Sequence, residues 1–486
     1  MDRLAMLQLL LAAVQLGFVF AVGACIGSLV NVLAYRLPLG MSVVTPPSRC
    51  PSCQTKLTWR ENIPILGWVI LRGKCRFCKA RISPEYPLIE LLVAVLLAGL
   101  FALWYLTPVN ATLVGVPVGE IAPEWARSGL GLTWPIFTVF LALAACLVAM
   151  TLVDAKTFTI PLVLTWTPAL VALAFHPLWA GWVQWKHGAL WSRAPGWTWA
   201  IASPGSAGGG WVGASLGGIA GLVIANVLLE RGLIRRSFAD YEEWEKKARE
   251  AATAPPPGPG ASPPFEPVSP SGDAPPAAVP LGSAPESRDL PVVGVAPADR
   301  PGADDPTQLW IRYPHARREM LKEIVFLAPC LALAVGGGAL ARWLAGPWLF
   351  DFEANRFVPS VAVPLWLDVL AGVLMGYLIG GGVVWAVRIA GSLAFGKEAM
   401  GLGDVHLMGA VGACLGWIDS ALAFFGAAFV ALAWALGSRV TSGRMRRAMP
   451  YGPFLAAATL LVLLAKPWIE RGFSAMLPGL GPISLP

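Results

Sequence analysis

Ten mostly apolar runs dominate this sequence, near 9–35, 86–106, 134–153, 160–176, 211–233, 323–345, 366–390, 404–417, 419–438 and 452–469. A helix crossing the hydrocarbon core of a bilayer needs about 20 such residues, with its backbone polar groups satisfied internally. None of the runs alternates apolar and polar residues as a barrel strand does. Composition agrees, because 56% of the 486 residues are hydrophobic and 13% charged, which excludes an ordinary soluble domain. The predicted fold is an all-α polytopic membrane protein of about ten transmembrane helices. The run at 404–417 is the shortest and is rich in glycine.

The net charge of +7 does not point to nucleic acid, because the basic residues collect in particular loops. Arg36, Arg49, Lys56, Arg60, Arg72, Lys74, Arg76, Lys79 and Arg81 crowd the first loop. Arg235, Arg236, Lys246, Lys247, Arg317, Arg318 and Lys322 flank a later one, and Arg439, Arg444, Arg446 and Arg447 occupy a third. Loop 107–133 carries only Arg127. This is the positive-inside pattern. With ten spans, every strongly basic loop falls on the cytoplasmic side and both termini face outward. Val22-Gly23-Ala24-Cys25 resembles a lipoprotein cleavage site, but the apolar run continues to Tyr35, so an uncleaved first helix is expected.

Between the first two spans, residues 36–85 form a small polar domain. Residues 251–308 are dominated by Pro, Ala, Gly and Ser and are expected to be a disordered tether. The preceding FADYEEWEKKARE mixes charges at helical spacing and is expected to extend the fifth span as a solvated helix. Loop 177–210 holds Trp179, Trp182, Trp185, Trp191, Trp197 and Trp199, rings suited to the outer membrane–water interface. Segments 213–224 and 371–382 are Gly-rich apolar helices of the kind that pack closely in lipid.

Cys50-x2-Cys53 and Cys75-x2-Cys78 are two knuckles joined by a segment able to form a hairpin. The spacing fits a structural four-cysteine Zn2+ site of the ribbon type; two redox pairs or four unconnected thiols are the competing readings. Nearby Lys and Arg residues favour thiolates, and a domain this small needs the metal to stay folded. Cys25, Cys146, Cys330 and Cys414 are scattered in apolar helices and read as small hydrophobes.

Ionisable residues at membrane depth are costly and therefore candidates for function. Asp154 ends the third span in LVAMTLVDAKTFTIPLVLTW, and Asp404 begins the eighth in GLGDVHLMGAVGACLGW. Both fall on the cytoplasmic side. Together they can work as an aspartyl protease dyad, sharing a proton, with one acid activating water and the other protonating the leaving amine. Gly401 and Gly403 would let a substrate strand approach the Asp404 backbone, and His406 either orients the carboxylate or faces the interface. The alternatives are helix capping, or pairing with Lys156 or Lys397. Asp351, Glu353 and Asp368 are expected as outer surface groups, and Asp419 at an outer turn. A zinc-stabilised transporter or scaffold using the aspartates for ions is the non-enzymatic alternative.

GACIGSLVNVLAYRLP, CPSC…ENIPILGWVILRGKCRFCKARISPEYPLIELL, GKEAMGLGDVHLMGAVGACLGW and MPYGPFLAAA together resemble the type IV prepilin peptidase family over residues 18–161 and 366–456. The resemblance implies a membrane aspartic endopeptidase of the bacterial inner membrane. Such enzymes cut the basic leader from prepilins of type IV pili and pseudopilins of type II secretion at the cytoplasmic face. Asp154 and Asp404 match the catalytic pair, and Cys50, Cys53, Cys75 and Cys78 the tetrad. It also implies N-methylation of the new N-terminus with S-adenosyl-L-methionine, although no Rossmann-type unit is legible. His406 stands where the family usually has Lys, and Leu162 where an acidic or amide residue is common. The expected division is a first helix at 1–35, a zinc domain at 36–85, helices at 86–176, an insertion with two extra spans at 177–365, and C-terminal helices at 366–486.

Overall fold

The computed structural model describes residues 3–188, 201–202, 208–241, 243–244, 246–247, 315–351, 356–359, 361–442 and 450–477. The tether expected at 251–308 and Trp191, Trp197 and Trp199 lie outside the described residues. Among those described, nine helices are long and apolar enough to cross a membrane, and a tenth apolar helix is shorter. The expected all-α membrane bundle is borne out.

The helices are α1 (Arg3–Arg36), a short α2 (Leu66–Ile70), α3 (Glu85–Phe101), α4 (Leu130–Thr157), α5 (Leu162–His187), α6 (Gly209–Glu230), α7 (Ala316–Leu344), α8 (Leu365–Phe395), α9 (Leu402–Leu415), α10 (Trp417–Ser442) and α11 (Gly452–Met476). A small antiparallel hairpin, β1 (Trp348–Asp351) with β2 (Arg356–Pro359), lies between α7 and α8. The chain divides into two compact units. The larger contains Met1–Ala225, Ala328–Ala386 and Gly401–Pro486; the smaller contains Asn226–Leu327 and Val387–Met400.

In the larger unit, helices meet backbone to backbone. A Cβ placed on Gly23 would come 2.8 Å from Ala94 Cα, and one on Gly27 would come 2.6 Å from Glu90 Cα, so α1 lies directly on α3. Gly213, Gly217 and Gly221 of α6 face the backbone of Gly337, Leu333 and Pro329 on α7, an antiparallel crossing. Gly376 of α8 and Gly412 of α9 each face the other's carbonyl. Lipid supplies no hydrophobic drive between helices, so small residues that allow close van der Waals contact take over that role. Elsewhere in this unit Trp104, Trp125, Phe137 and Phe140 interlock, with the Trp104 and Phe140 rings edge to face at 5.1 Å.

Several expectations need correction. Helix α5 runs on to His187, so the boundary placed at 176/177 falls inside it and Trp179, Trp182 and Trp185 are helical. Pro177 breaks one backbone hydrogen bond without ending the helix, which neighbouring helices tolerate. The Trp179 and Trp182 rings stack at 4.5 Å, and Lys186 Nζ sits 4.7 Å above Trp182. The charged stretch after the fifth span is helical at 241, 243–244 and 246–247, with Glu243, Lys246 and Lys247 exposed, but it does not continue that span. Helix α6 stops at Glu230, the chain turns through Gly232 and Phe238 at φ 73° and 51°, and Phe238 and Tyr241 are buried. Their apolar surface outweighs the charge pattern around them. Asp368 is buried rather than on the surface. Asp419 begins α10, also buried, with its Oδ2 3.1 Å from Lys466 Nζ on α11.

The α8–α9 crossing leaves no room for a side chain. Gly412→Val is expected to destabilise the protein by about 1–3 kcal/mol, the usual cost of overpacking, read as a lower midpoint of thermal unfolding in detergent.

Candidate active site and metal centre

The cysteine domain is built from the same turn used twice. In the first knuckle the N–H of Gln54 donates to the Cys50 carbonyl at 2.9 Å, and the N–H of Cys50 donates to the Thr55 carbonyl at 3.0 Å. In the second, Lys79 donates to Cys75 at 3.1 Å and Cys75 to Ala80 at 2.8 Å. Gln54 and Lys79, each just after a knuckle's second cysteine, share a left-handed backbone at φ 56° and 62°. Short bridges, Arg49 with Lys56 and Lys74 with Arg81, close each turn. The hairpin therefore lies within each knuckle, while the segment between them carries α2.

These twin turns point four sulfurs at one place. The Sγ atoms of Cys50, Cys53, Cys75 and Cys78 lie within 4.8 Å of one another, with Cys50–Cys78 at 3.8 Å and Cys53–Cys75 at 3.9 Å. A tetrahedral ion with metal–sulfur bonds of about 2.3 Å needs sulfurs about 3.8 Å apart. The four residues can therefore hold a metal ion. Hydrogen bonds from the Thr55 side chain and backbone pull the Cys53 thiol down to about 6. The backbone N–H groups of Cys78 and Phe77 lower Cys75 as well. Both effects favour the thiolates a metal requires.

Polar clips fasten the domain. Glu61 accepts from the Thr58 hydroxyl and N–H and from Arg76 at 2.9 Å; these hydrogen bonds hold its carboxyl down at about 2, so it stays ionised at neutral pH. Glu90 of α3, buried, accepts from the Ile65 N–H at 2.6 Å and ties the start of α2 to the bundle. The Arg36 guanidinium donates to the carbonyls of Ser42, Val43 and Pro46.

Asp154 and Asp404 each act on a residue at the beginning of the last helix. Asp154, buried in the final turn of α4, accepts a hydrogen bond from the Gly452 N–H through Oδ2 at 2.9 Å. It thus caps α11, whose first N–H groups have no helical partner. A Cβ on Gly452 would fall 2.5 Å from that oxygen, so the contact requires glycine. Asp404, half-buried in the first turn of α9, acts on the preceding residue: burial and then the Asp404 charge raise the Tyr451 hydroxyl above its ordinary value. A Cβ on Gly403 would sit 3.0 Å from Ile160 Cβ, which seats the α9 turn on the loop that follows Asp154. Gly401 is the exposed N-cap of α9.

Lys156 pairs with Glu85 at 3.4 Å rather than with Asp154, and this contact sets the Asp154 end of α4 beside the start of α3, where the cysteine domain ends. His406 Nδ1 lies 3.2 Å from the Tyr377 hydroxyl of α8. Tyr451, Gly452 and Glu90 were not singled out from the sequence. The Tyr-Gly-Pro preceding an apolar run is the one local signal that marks the first two as a helix start.

These features describe a multi-pass membrane protein with a four-cysteine domain and two acids at one end of its bundle. Residues 21–104 match the Bacterial Peptidase A24 N-terminal domain. The chain is similar to a prepilin leader peptidase/N-methyltransferase of Myxococcus xanthus (strain DK1622), 52% identical over 79 residues, covering 16% of this chain and 24% of that protein. It is 44% identical over 85 residues to one from Klebsiella pneumoniae, covering 16% and 37%. It is 34% identical over 189 residues to one from Dickeya chrysanthemi, covering 32% and 56%. The chain thus spans between about a quarter and just over half of these relatives. The matches bear out the resemblance read from the sequence. No solved structure matches.

Because the Asp154–Gly452 contact has no space for a methyl group, Gly452→Val is expected to part α4 from α11. The readout is a thermal midpoint lowered by the equivalent of about 1–3 kcal/mol, whereas Gly472→Val, at a glycine with open space around it, leaves the midpoint near that of the unaltered protein.

Proposed function

We propose that this chain is an aspartic endopeptidase of the bacterial inner membrane. In this reading it removes the basic leader from prepilins or type II secretion pseudopilins at the cytoplasmic face, with both of its termini outside. The observation that supports the reading is the Asp154–Gly452 hydrogen bond at the start of α11, next to Tyr451, whose hydroxyl is raised by burial and by the Asp404 charge. One carboxylate takes a proton from a water molecule as the water oxygen attacks the peptide carbonyl carbon. The other, protonated, donates to the nitrogen of the leaving amine as the C–N bond breaks. Gly401, exposed at the start of α9, leaves its backbone open to an extended substrate, and His406, held by Tyr377, lines the same helix.

The tetrad Cys50, Cys53, Cys75 and Cys78 holds Zn2+ in a closed structural site, since four thiolates leave no position for a water. The ion supplies folding energy to a domain with little core. The relatives' names pair leader cleavage with N-methylation. The same pairing is proposed for this chain, with S-adenosyl-L-methionine as the methyl donor, and no residue is assigned to that step.

Asn at position 154 keeps an oxygen for the Gly452 N–H but cannot titrate, so Asp154→Asn separates capping from catalysis. Asp154→Asn and Asp404→Asn are each expected to lower cleavage of a co-expressed prepilin on the order of 10²–10⁴-fold while the protein still inserts. A processed pilin in either variant would remove that residue from the reaction. Elemental analysis of the purified protein is expected to find zinc bound to the native chain and lost in Cys75→Ser.

A further inference from the structure

The cysteine domain meets the end of α1 across an open cleft of about 320 Å³. Both sides of the cleft belong to the larger unit. Leu29, Val32 and Arg36, spaced i, i+3 and i+7 on one face of α1, line one side. Ser48, Trp59 and Asn62 of the cysteine domain line the other. Neither the aspartates nor the cysteine tetrad uses this space.

Arg36 brings a charge that no carboxylate matches among the described residues. Three of its five N–H groups donate to the carbonyls of Ser42, Val43 and Pro46, which are neutral. Two N–H groups and the whole positive charge are left over. Residues 36–81 hold nine Lys and Arg against a single acid, Glu61. That acid is already engaged by Thr58 and Arg76. The Asn62 amide and the Ser48 hydroxyl have no partner among the described residues. The polar end of the cleft is therefore built for an anion.

The other end is built for hydrocarbon. Arg36 is the first charge after the apolar run of α1, and Leu29, seven residues before it, is 49% exposed. Val32 to Arg36 covers about 6 Å along the axis at about 1.5 Å per residue. The headgroup layer on each side of the hydrocarbon core is about 5–8 Å thick. With Val32 at the hydrocarbon edge, Arg36 stands at the level of lipid phosphates. Val44 and Trp59, which also line the cleft, are 82% and 72% exposed, and the Arg60 guanidinium lies 5.4 Å over the Trp59 ring. Such side chains suit a membrane–water interface. A free phosphate would leave the apolar side bare. The sulfonium of S-adenosyl-L-methionine, or a basic leader, would add positive charge where acids are already lacking.

We propose that this cleft binds one anionic phospholipid of the adjoining leaflet. Its phosphate meets the free N–H groups of Arg36, with Asn62 and Ser48 as further donors, and one acyl chain runs down over Val32 and Leu29. The lipid ties the cysteine domain to α1, and Val44 and Trp59 rest on the membrane surface. The site does not depend on the proteolytic reading.

The test is hydrogen exchange of the full-length protein in detergent, with phosphatidylglycerol, phosphatidylcholine, inorganic phosphate or S-adenosyl-L-methionine added separately. Saturating phosphatidylglycerol is expected to slow exchange at residues 41–48 and 58–62 by about ten-fold or more, while residues 118–128 are unchanged. Phosphatidylcholine and inorganic phosphate are expected to slow it by less than about two-fold. Arg36→Gln, and Asn62→Asp, which sets a carboxylate against the phosphate, each remove the protection. Arg127→Gln, which removes an equal charge from another loop, keeps it. Arg36 also holds the 42–46 turn, so the decisive variant is Asn62→Asp, at an exposed side chain with no described partner. Protection undiminished in Asn62→Asp, no protection by phosphatidylglycerol, equal protection by phosphatidylcholine or inorganic phosphate, or protection by S-adenosyl-L-methionine instead, overturns the proposal.

Discussion

A single carboxylate–amide hydrogen bond joins residues 298 apart in the chain, from Asp154 at the end of α4 to Gly452 at the start of α11. In lipid or at its edge, an unsatisfied helix N-terminal N–H is costly, and water cannot be relied on to meet it. Asp154 meets that need for α11. In doing so it fixes the approach of α11 to α4. The side chain proposed to work on substrate is therefore also one that the fold needs. A residue with both duties is held more rigidly than one placed for chemistry alone, because moving it would leave a helix end unpaired.

The rest of the larger unit supports this contact with little side-chain mediation. Where α1 meets α3, α6 meets α7 and α8 meets α9, glycines bring backbones into direct contact. Such crossings have few alternative packings, because no rotamer change can take up a shift. They fix helix spacing tightly, and the polar ends of the helices inherit that accuracy. Glu90 shows the coupling: on the same turn of α3 that receives Gly27, it holds the N–H of Ile65 in the cysteine domain.

Much of this was legible in the sequence. The ten apolar runs were legible because bilayer thickness imposes a length that few other constraints mimic, and the tetrad because metal geometry imposes a spacing. Helix ends were less legible. The fourth span was expected to end at 176, yet α5 continues through Pro177 to His187, since a bundle can tolerate one missing hydrogen bond. The charges of YEEWEKK suggested a solvated helix, and Glu243, Lys246 and Lys247 are helical and exposed, yet Tyr241 on the same stretch is buried, because its aromatic surface outweighs its charged neighbours. The partner of Asp154 was not legible. The contact joins segments far apart in sequence, and no local pattern records which distant backbone group a side chain will meet.

The pairing of α6 with α7 has a wider consequence. Because they run antiparallel against each other, the chain that leaves the bundle after α6 returns to it, through α7, at the end from which it left. Whatever lies between them can lengthen, shorten or change composition over generations without altering the orientation of any later segment. The two helices thus act as a neutral port in the architecture, a place where new sequence can be tried while the threading of α8 to α11 is preserved.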